Sequence, residues 1–149
     1  MVRVLTVDGQ AEVRRGLRMR LAVEPDMTVV GETGKAGEAV YLAQALDPDV
    51  IVVDVGMRGA EGFDLLQRLR DVVPTARLIV LTLHGDEETR VRAREAGAQA
   101  FLEKSGGAAD LLEVIRRLAA LPLLDGGWAT TRALATPSPN VEPDLDWYV

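Results

Sequence analysis

The chain has no cysteine, which excludes a disulfide framework and any thiolate site, and its single histidine excludes a histidine-rich zinc centre. Nowhere do about 18 apolar residues run together, the minimum for a membrane-spanning helix. The start Met-Val-Arg-Val-Leu-Thr-Val-Asp places no long apolar stretch after its one positive charge, so no secretory leader is legible. A soluble, cytoplasmic protein with no membrane partner is expected. An excess of positive charge is also missing. Net charge is −6, and the basic residues are spread along predicted helices rather than gathered into one patch, which argues against nucleic-acid binding through these residues. What is present is apolar material: 48% of 149 residues, enough for one core of ordinary size with a short appendage.

The most informative stretch is Val50-Ile51-Val52-Val53-Asp54-Val55-Gly56, a short run of β-favouring residues that ends in one carboxylate and then a turn glycine. A run this short and without alternation reads as a central strand of a parallel sheet covered on both faces. In such sheets chemistry collects beyond the carboxyl ends of the strands, where the turns leave a crevice open. Asp54 sits at such an end. An aspartate after a strand also serves to cap the helix that follows, and this stretch alone leaves both readings open.

Taken in order, the chain repeats the same unit. Arg3 to Val7 reads as a strand stopping at Asp8-Gly9, and Val13, Leu17 and Leu21 give Ala11 to Val23 an amphipathic helical face. A strand at Met27 to Glu32 leads into Gly31-Glu32-Thr33-Gly34-Lys35-Ala36-Gly37. This is not a phosphate loop, because Val29 stands where the first glycine belongs and Ala36 where a hydroxyl must hold the metal. A helix at Ala36 to Leu46 precedes the central strand, and Gly62 to Val73 carries Leu65, Leu66, Leu69 and Val73 at helical spacing. Strand four, Arg77 to Leu81, ends at Thr82. The helix Glu87 to Ala96 has a thin apolar face of Val91, Ala93 and Ala96, and Gly97 stops it. Strand five, Gln99 to Leu102, leads to Lys104, and Ala108 to Ala120 forms the last helix. Five strands alternating with five helices imply right-handed parallel crossovers, a flavodoxin-like doubly wound α/β sheet, (βα)5, in the order 2-1-3-4-5. Asp8 and Asp54 then share one crevice.

The strand ends supply Asp8, Asp54, Thr82 and Lys104. Two nearby carboxylates repel unless a cation neutralises them, and Mg²⁺ prefers a few carboxylate and carbonyl oxygens with waters completing its shell. Thr82 offers a hydroxyl donor and Lys104 a mobile ammonium, both suited to phosphoryl oxygens. The set describes phosphoryl transfer to a carboxylate.

Over residues 2 to 120 the sequence resembles the receiver domain of bacterial two-component response regulators. The resemblance is carried by Val4-Leu5-Thr6-Val7-Asp8, Asp49-Val50-Ile51-Val52-Val53-Asp54, Ile79-Val80-Leu81-Thr82 and Gly97-Ala98-Gln99-Ala100-Phe101-Leu102-Glu103-Lys104. Val13-Arg14-Arg15-Gly16-Leu17 and Glu24-Pro25-Asp26-Met27 are most similar to the NarL/FixJ subgroup. The resemblance implies that Asp54 takes a phosphoryl group from the phosphohistidine of a sensor histidine kinase, with autodephosphorylation rather than conventional enzyme turnover. It implies that Thr82 binds the phosphoryl group, that Lys104 pairs with it, and that Thr82 and Phe101 form the switch. A cation would rest on Asp8, Asp54 and the Gly56 carbonyl. The family's usual second acid after strand one is here Gly9, so Mg²⁺ is expected to bind weakly. Arg58 replaces a usual proline, and Ser105 stands where many receivers carry a cis proline. His84, two residues past Thr82, sits where receivers influence water access; a loop histidine without a role is the reading kept.

Residues 121–149 change character, with Pro122, Pro137, Pro139 and Pro143, both tryptophans and an excess of acid. They read as a short helix at 128–135, with Trp128 docked on the body, followed by an acidic linker or tail. NarL/FixJ regulators continue into a helix-turn-helix, and none is legible here; a fragment of a transcription regulator and a single-domain regulator are both consistent. The expected function is a phosphorylatable switch controlling an output, transcription by resemblance. The alternative is a degenerate receiver acting as a dimerisation or docking module without phosphorylation. A nucleotide or flavin binder on this fold lacks its phosphate loop. Weak homodimerisation is expected through helices one and five, with Val114 and Leu118 as a spare apolar patch rimmed by Arg14, Arg15, Arg116 and Arg117.

Overall fold

The apolar runs Val50–Val53 and Arg77–Thr82 are strands buried along their whole length, as both faces of a covered parallel sheet require. The computed structural model describes residues 1–56, 61–83, 85–104 and 108–121. The order is β1 (Val2–Val7), α1 (Ala11–Ala22), β2 (Met27–Thr33), α2 (Ala36–Leu46), β3 (Val50–Val53), α3 (Glu61–Val72), β4 (Arg77–Thr82), α4 (Glu87–Glu95), β5 (Ala100–Glu103) and α5 (Ala108–Ala120). All neighbouring strands are parallel, in the order β2-β1-β3-β4-β5, so the flavodoxin-like topology stands.

Alternation along the strands divides the core into two layers. Leu5, Val7, Ile51, Val53 and Val80 meet Ala39, Ala43, Leu65, Leu69 and Ala93 on the face covered by α2, α3 and α4. Val4, Val50, Val52, Ile79 and Leu81 meet Leu21, Leu111, Ile115 and Leu118 on the other face, which among the described residues α1 and α5 cover. That asymmetry overturns the expectation of a spare patch on α5. Two helices must cover what three cover opposite, and α1 buries only Leu21 fully, so α5 buries a wide stripe that includes Val114 at 5% and Leu118 at 4% exposure. The supposed basic rim is also engaged. Arg116 binds Asp26 and Glu24, and Arg14 turns inward to the Asp8 carbonyl.

Local chemistry fixes the element ends. Residues 31–37 form the strand-to-helix turn expected, with β2 ending at Thr33, whose hydroxyl accepts from the Lys35 amide at 3.1 Å. β5 begins one residue later than expected, at Ala100; Gln99 just before it pairs with Leu78 twice, its amide donating to the Leu78 carbonyl at 2.8 Å and its Oε1 accepting from the Leu78 amide at 3.2 Å. α4, thin in apolar contacts, is capped by Asp86, which accepts from the Thr89 amide at 2.7 Å, and carries acids in its first turn and arginines in its last. It closes in a Schellman motif: Gly97 at φ 114° donates to Arg94 and Ala98 donates to the Ala93 carbonyl. Gly62 is dictated by close approach, since a Cβ there would come within 2.4 Å of the Val55 carbonyl oxygen. A side chain at this position would push α3 away from the turn that follows β3.

The expected helix at 128–135, the docking of Trp128, and the residues His84, Arg58 and Ser105 lie outside the described residues.

Candidate functional site

Adjacent parallel strands bring the two aspartates together. Val7 is in register with Val53, so the next residue of each strand, Asp8 and Asp54, emerges side by side at the carboxyl edge of the sheet. The Asp54 amide donates to the Val7 carbonyl at 2.9 Å and the Asp8 amide to the Thr33 carbonyl at 3.0 Å, which prolongs the ladder one step past the strands. Both aspartates are buried, at 2% and 8% exposure.

Each carboxylate is oriented by the same device. Oδ1 of Asp8 accepts from the Gln10 amide at 2.8 Å, and Oδ1 of Asp54 accepts from the Gly56 amide at 2.8 Å, so each closes a turn on the residue two positions on. The remaining oxygens face one cation: Lys104, just past β5, places Nζ 2.8 Å from Asp8 Oδ2 and 3.1 Å from Asp54 Oδ2. The third acceptor of this ammonium is Gln10 Oε1 at 3.0 Å. Both oxygens of the Asp54 carboxylate are engaged within the site, Oδ1 by the Gly56 amide and Oδ2 by Lys104.

Thr82 ends β4, buried at 5% exposure and in register with Glu103, the residue before Lys104. The β3–β4 register pairs Val53 with Val80, which sets Thr82 one residue beyond the level of Asp54 on the same edge. Phe101 lies opposite Val80 and packs in the layer beneath α2, α3 and α4, at 3% exposure. The structure thus brings Asp8, Asp54 and Lys104 into contact, with Thr82 at the neighbouring strand end and Phe101 behind it.

Two contributors carry no clear sequence signal. The sequence assigns Gln10 no role, and Arg14 is expected on an outer rim; the Arg14 guanidinium instead donates to the Asp8 backbone carbonyl and approaches Glu32 at 3.9 Å. The only sequence signal for Gln10 is its position just before α1, where a short capping residue is the rule.

The donor chemistry suits magnesium. Asp8 and Asp54 offer oxygens that already converge on a single positive charge, and Gly56, whose amide is held by Asp54, is placed in the same turn. A hard ion that keeps several waters is satisfied by one or two carboxylates and a carbonyl. Among the described residues no three acidic or imidazole side chains converge on one point, as the glycine at position 9 leads one to expect.

The nitrate/nitrite response regulator protein NarL of Escherichia coli (strain K12) is 34% identical over 117 residues, 78% of this chain and 54% of that protein. The transcriptional regulatory protein LiaR of Bacillus subtilis (strain 168) is 37% identical over 116 residues, 78% of this chain and 55% of that protein. The chain therefore spans about half the length of the curated relatives it matches. A crystal structure of a LuxR-family two-component response regulator from Aurantimonas sp. SI85-9A1 superposes with TM-score 0.76 at 32% identity, covering 80% of this chain and 86% of that one. Residues 4–116, which hold the whole aspartate–lysine site, match the response regulator receiver domain, and the chain belongs to that family.

Proposed function

We propose that this receiver accepts a phosphoryl group on Asp54 from the phosphohistidine of a sensor histidine kinase and uses the modification to control an output. Transcription is that output, by analogy with the relative named as a transcriptional regulatory protein. The observation that carries the reading is the Lys104 ammonium seated on both Asp54 and Asp8. It marks where negative charge concentrates and supplies a cation able to pair with phosphoryl oxygens.

In the transfer, an oxygen of the Asp54 carboxylate forms a bond to phosphorus while the phosphorus–nitrogen bond of the donor breaks; the imidazole leaves with that electron pair and takes up a proton. Lys104 pairs with the transferred group, and the Thr82 hydroxyl donates to it. Asp8, Asp54 and the Gly56 carbonyl would hold a weakly bound magnesium ion, which supplies charge neutralisation for the phosphoryl oxygens. Water attack on phosphorus later returns the carboxylate and inorganic phosphate. Movement of Thr82 toward the new group, with Phe101 repacking behind it, carries the switch.

Residues 1–120 form the receiver in this reading and 121–149 a linker or tail, in a cytoplasmic protein. No helix among the described residues is long and apolar enough to cross a membrane. Weak self-association remains part of the proposal, with its apolar contribution moved from α5 to Met19 and Val23 at the end of α1, which are 59% and 69% exposed.

The test is intact mass after incubation with acetyl phosphate across a magnesium titration. Wild type gains one phosphoryl group and Asp54→Asn gains none. If wild type gains none at any magnesium level, phosphotransfer falls and the phosphorylation-independent docking module takes its place.

A further inference from the structure

We infer that Gln10 is a positioning residue that anchors the Lys104 ammonium on the Asp8–Asp54 pair, so that a magnesium ion enters this receiver only by displacing an ammonium that Gln10 holds. The inference rests on the proposed reading of Asp8 and Asp54 as the cation-holding pair.

Gln10 occupies the position before α1, with extended backbone at φ −92° and ψ 113°, where Ser, Thr, Asp or Asn normally turns its side chain back onto the free helix amides. Gln10 makes no such cap. Its longer side chain instead accepts at 3.0 Å from the Lys104 ammonium seated over Asp8 and Asp54, while its own amide donates to Asp8 Oδ1 at 2.8 Å. One residue therefore holds the carboxylate through its backbone and the cation through its side chain.

The ammonium has three N–H donors and, with Gln10, three acceptors: Asp8 Oδ2, Asp54 Oδ2 and Gln10 Oε1. Its side chain is only 8% exposed, so water would replace a lost acceptor poorly. The two carboxylate oxygens it occupies are also those that face any incoming cation. A divalent ion and an ammonium cannot both sit within about 3 Å of the same two oxygens, since the two cations repel. Magnesium binding is therefore a competition, and Gln10 strengthens one competitor without offering charge to either. The site lacks the family's second acid at Gly9 and instead has an acceptor one residue further on that favours the internal cation.

The experiment is calorimetric titration with magnesium chloride, with no phosphoryl donor, on wild type, Gln10→Ala, Lys104→Met and the double variant. Thermal unfolding without magnesium checks that each is folded; Gln10→Ala removes no helix cap and should unfold close to wild type. Loss of one charge-assisted hydrogen bond to the ammonium should tighten magnesium binding about three- to tenfold in Gln10→Ala. The same substitution on the Lys104→Met background should change nothing, because there is no ammonium left to anchor. Unchanged magnesium affinity in Gln10→Ala overturns the inference while leaving the cation pair intact. Weakened affinity also overturns it, by making Gln10 a ligand of the metal. Equal tightening on both backgrounds overturns it too, since Gln10 would then act on the carboxylates directly. If no variant binds magnesium, the cation-holding reading itself fails and the inference falls with it.

Discussion

Arg116 on α5 grips Asp26, at the entry to β2, through two prongs: Nε to Oδ2 at 2.8 Å and Nη2 to Oδ1 at 3.1 Å. These hydrogen bonds hold the Asp26 carboxyl below its ordinary value of 3.8, against a smaller opposing effect of desolvation. A carboxyl whose folded-state value is depressed adds stability that is fully present above its unfolded value and is lost as pH falls through its folded value. Arg116→Gln should therefore be less stable than wild type near neutral pH, with the gap closing at pH values below 3.8. Because the pair is exposed, added salt should narrow the gap as well. An NMR titration of the Asp26 carboxyl should give a lower midpoint in wild type than in Arg116→Gln; equal midpoints would show that the contact does not persist in solution.

A second prediction concerns the interior of β1. The Thr6 hydroxyl is fully buried between Glu32 and Val52 in the register and has no hydrogen-bond partner among the described residues. A buried hydroxyl without a partner forfeits its hydration and gains nothing in return. Valine has nearly the same shape without the oxygen. Thr6→Val should stabilise the domain by about 1 kcal/mol, raising the urea midpoint with the denaturant slope unchanged. A lower midpoint would mean that the hydroxyl finds a partner after all.

The strand ends were legible in the sequence because a period-free apolar run ending in a carboxylate has few structural solutions, and the crossover rules then leave one plausible neighbour for each strand. The same rules bring Asp8 and Asp54 together at one edge of the sheet, and Lys104 to that edge with them. Gln10 and Arg14 were not legible, because their roles depend on how far a long side chain reaches across the fold, which no local pattern encodes. Val114 and Leu118 were misjudged for a related reason. The width of stripe a helix must bury depends on how many helices share its face of the sheet, and only the assembled topology fixes that number. The start of β5 is displaced by one residue to Ala100, next to a Gln99 that serves Leu78 with both its backbone amide and its Oε1, a mixed pairing no residue pattern announces.

The last prediction weighs Gly9 against the acid pair. Asp8 and Asp54 meet only one cationic group, and no third acid joins them among the described residues. A missing carboxylate ligand should weaken magnesium binding by roughly 1.4 to 2.8 kcal/mol, about ten- to a hundredfold. Phosphorylation by acetyl phosphate should then be slow and strongly dependent on added magnesium. Gly9 is exposed in the turn between Asp8 and Gln10, next in the chain to one member of the pair. Gly9→Asp should recover the lost magnesium affinity and move the magnesium dependence of phosphorylation to correspondingly lower concentration, because a divalent ion gains more from a third carboxylate than the singly charged Lys104 does. Magnesium calorimetry and intact mass on the same preparations separate the two effects. Should Gly9→Asp bind magnesium no more tightly than wild type, the deficit does not lie at that position, and the competition from Lys104 alone would have to account for weak binding.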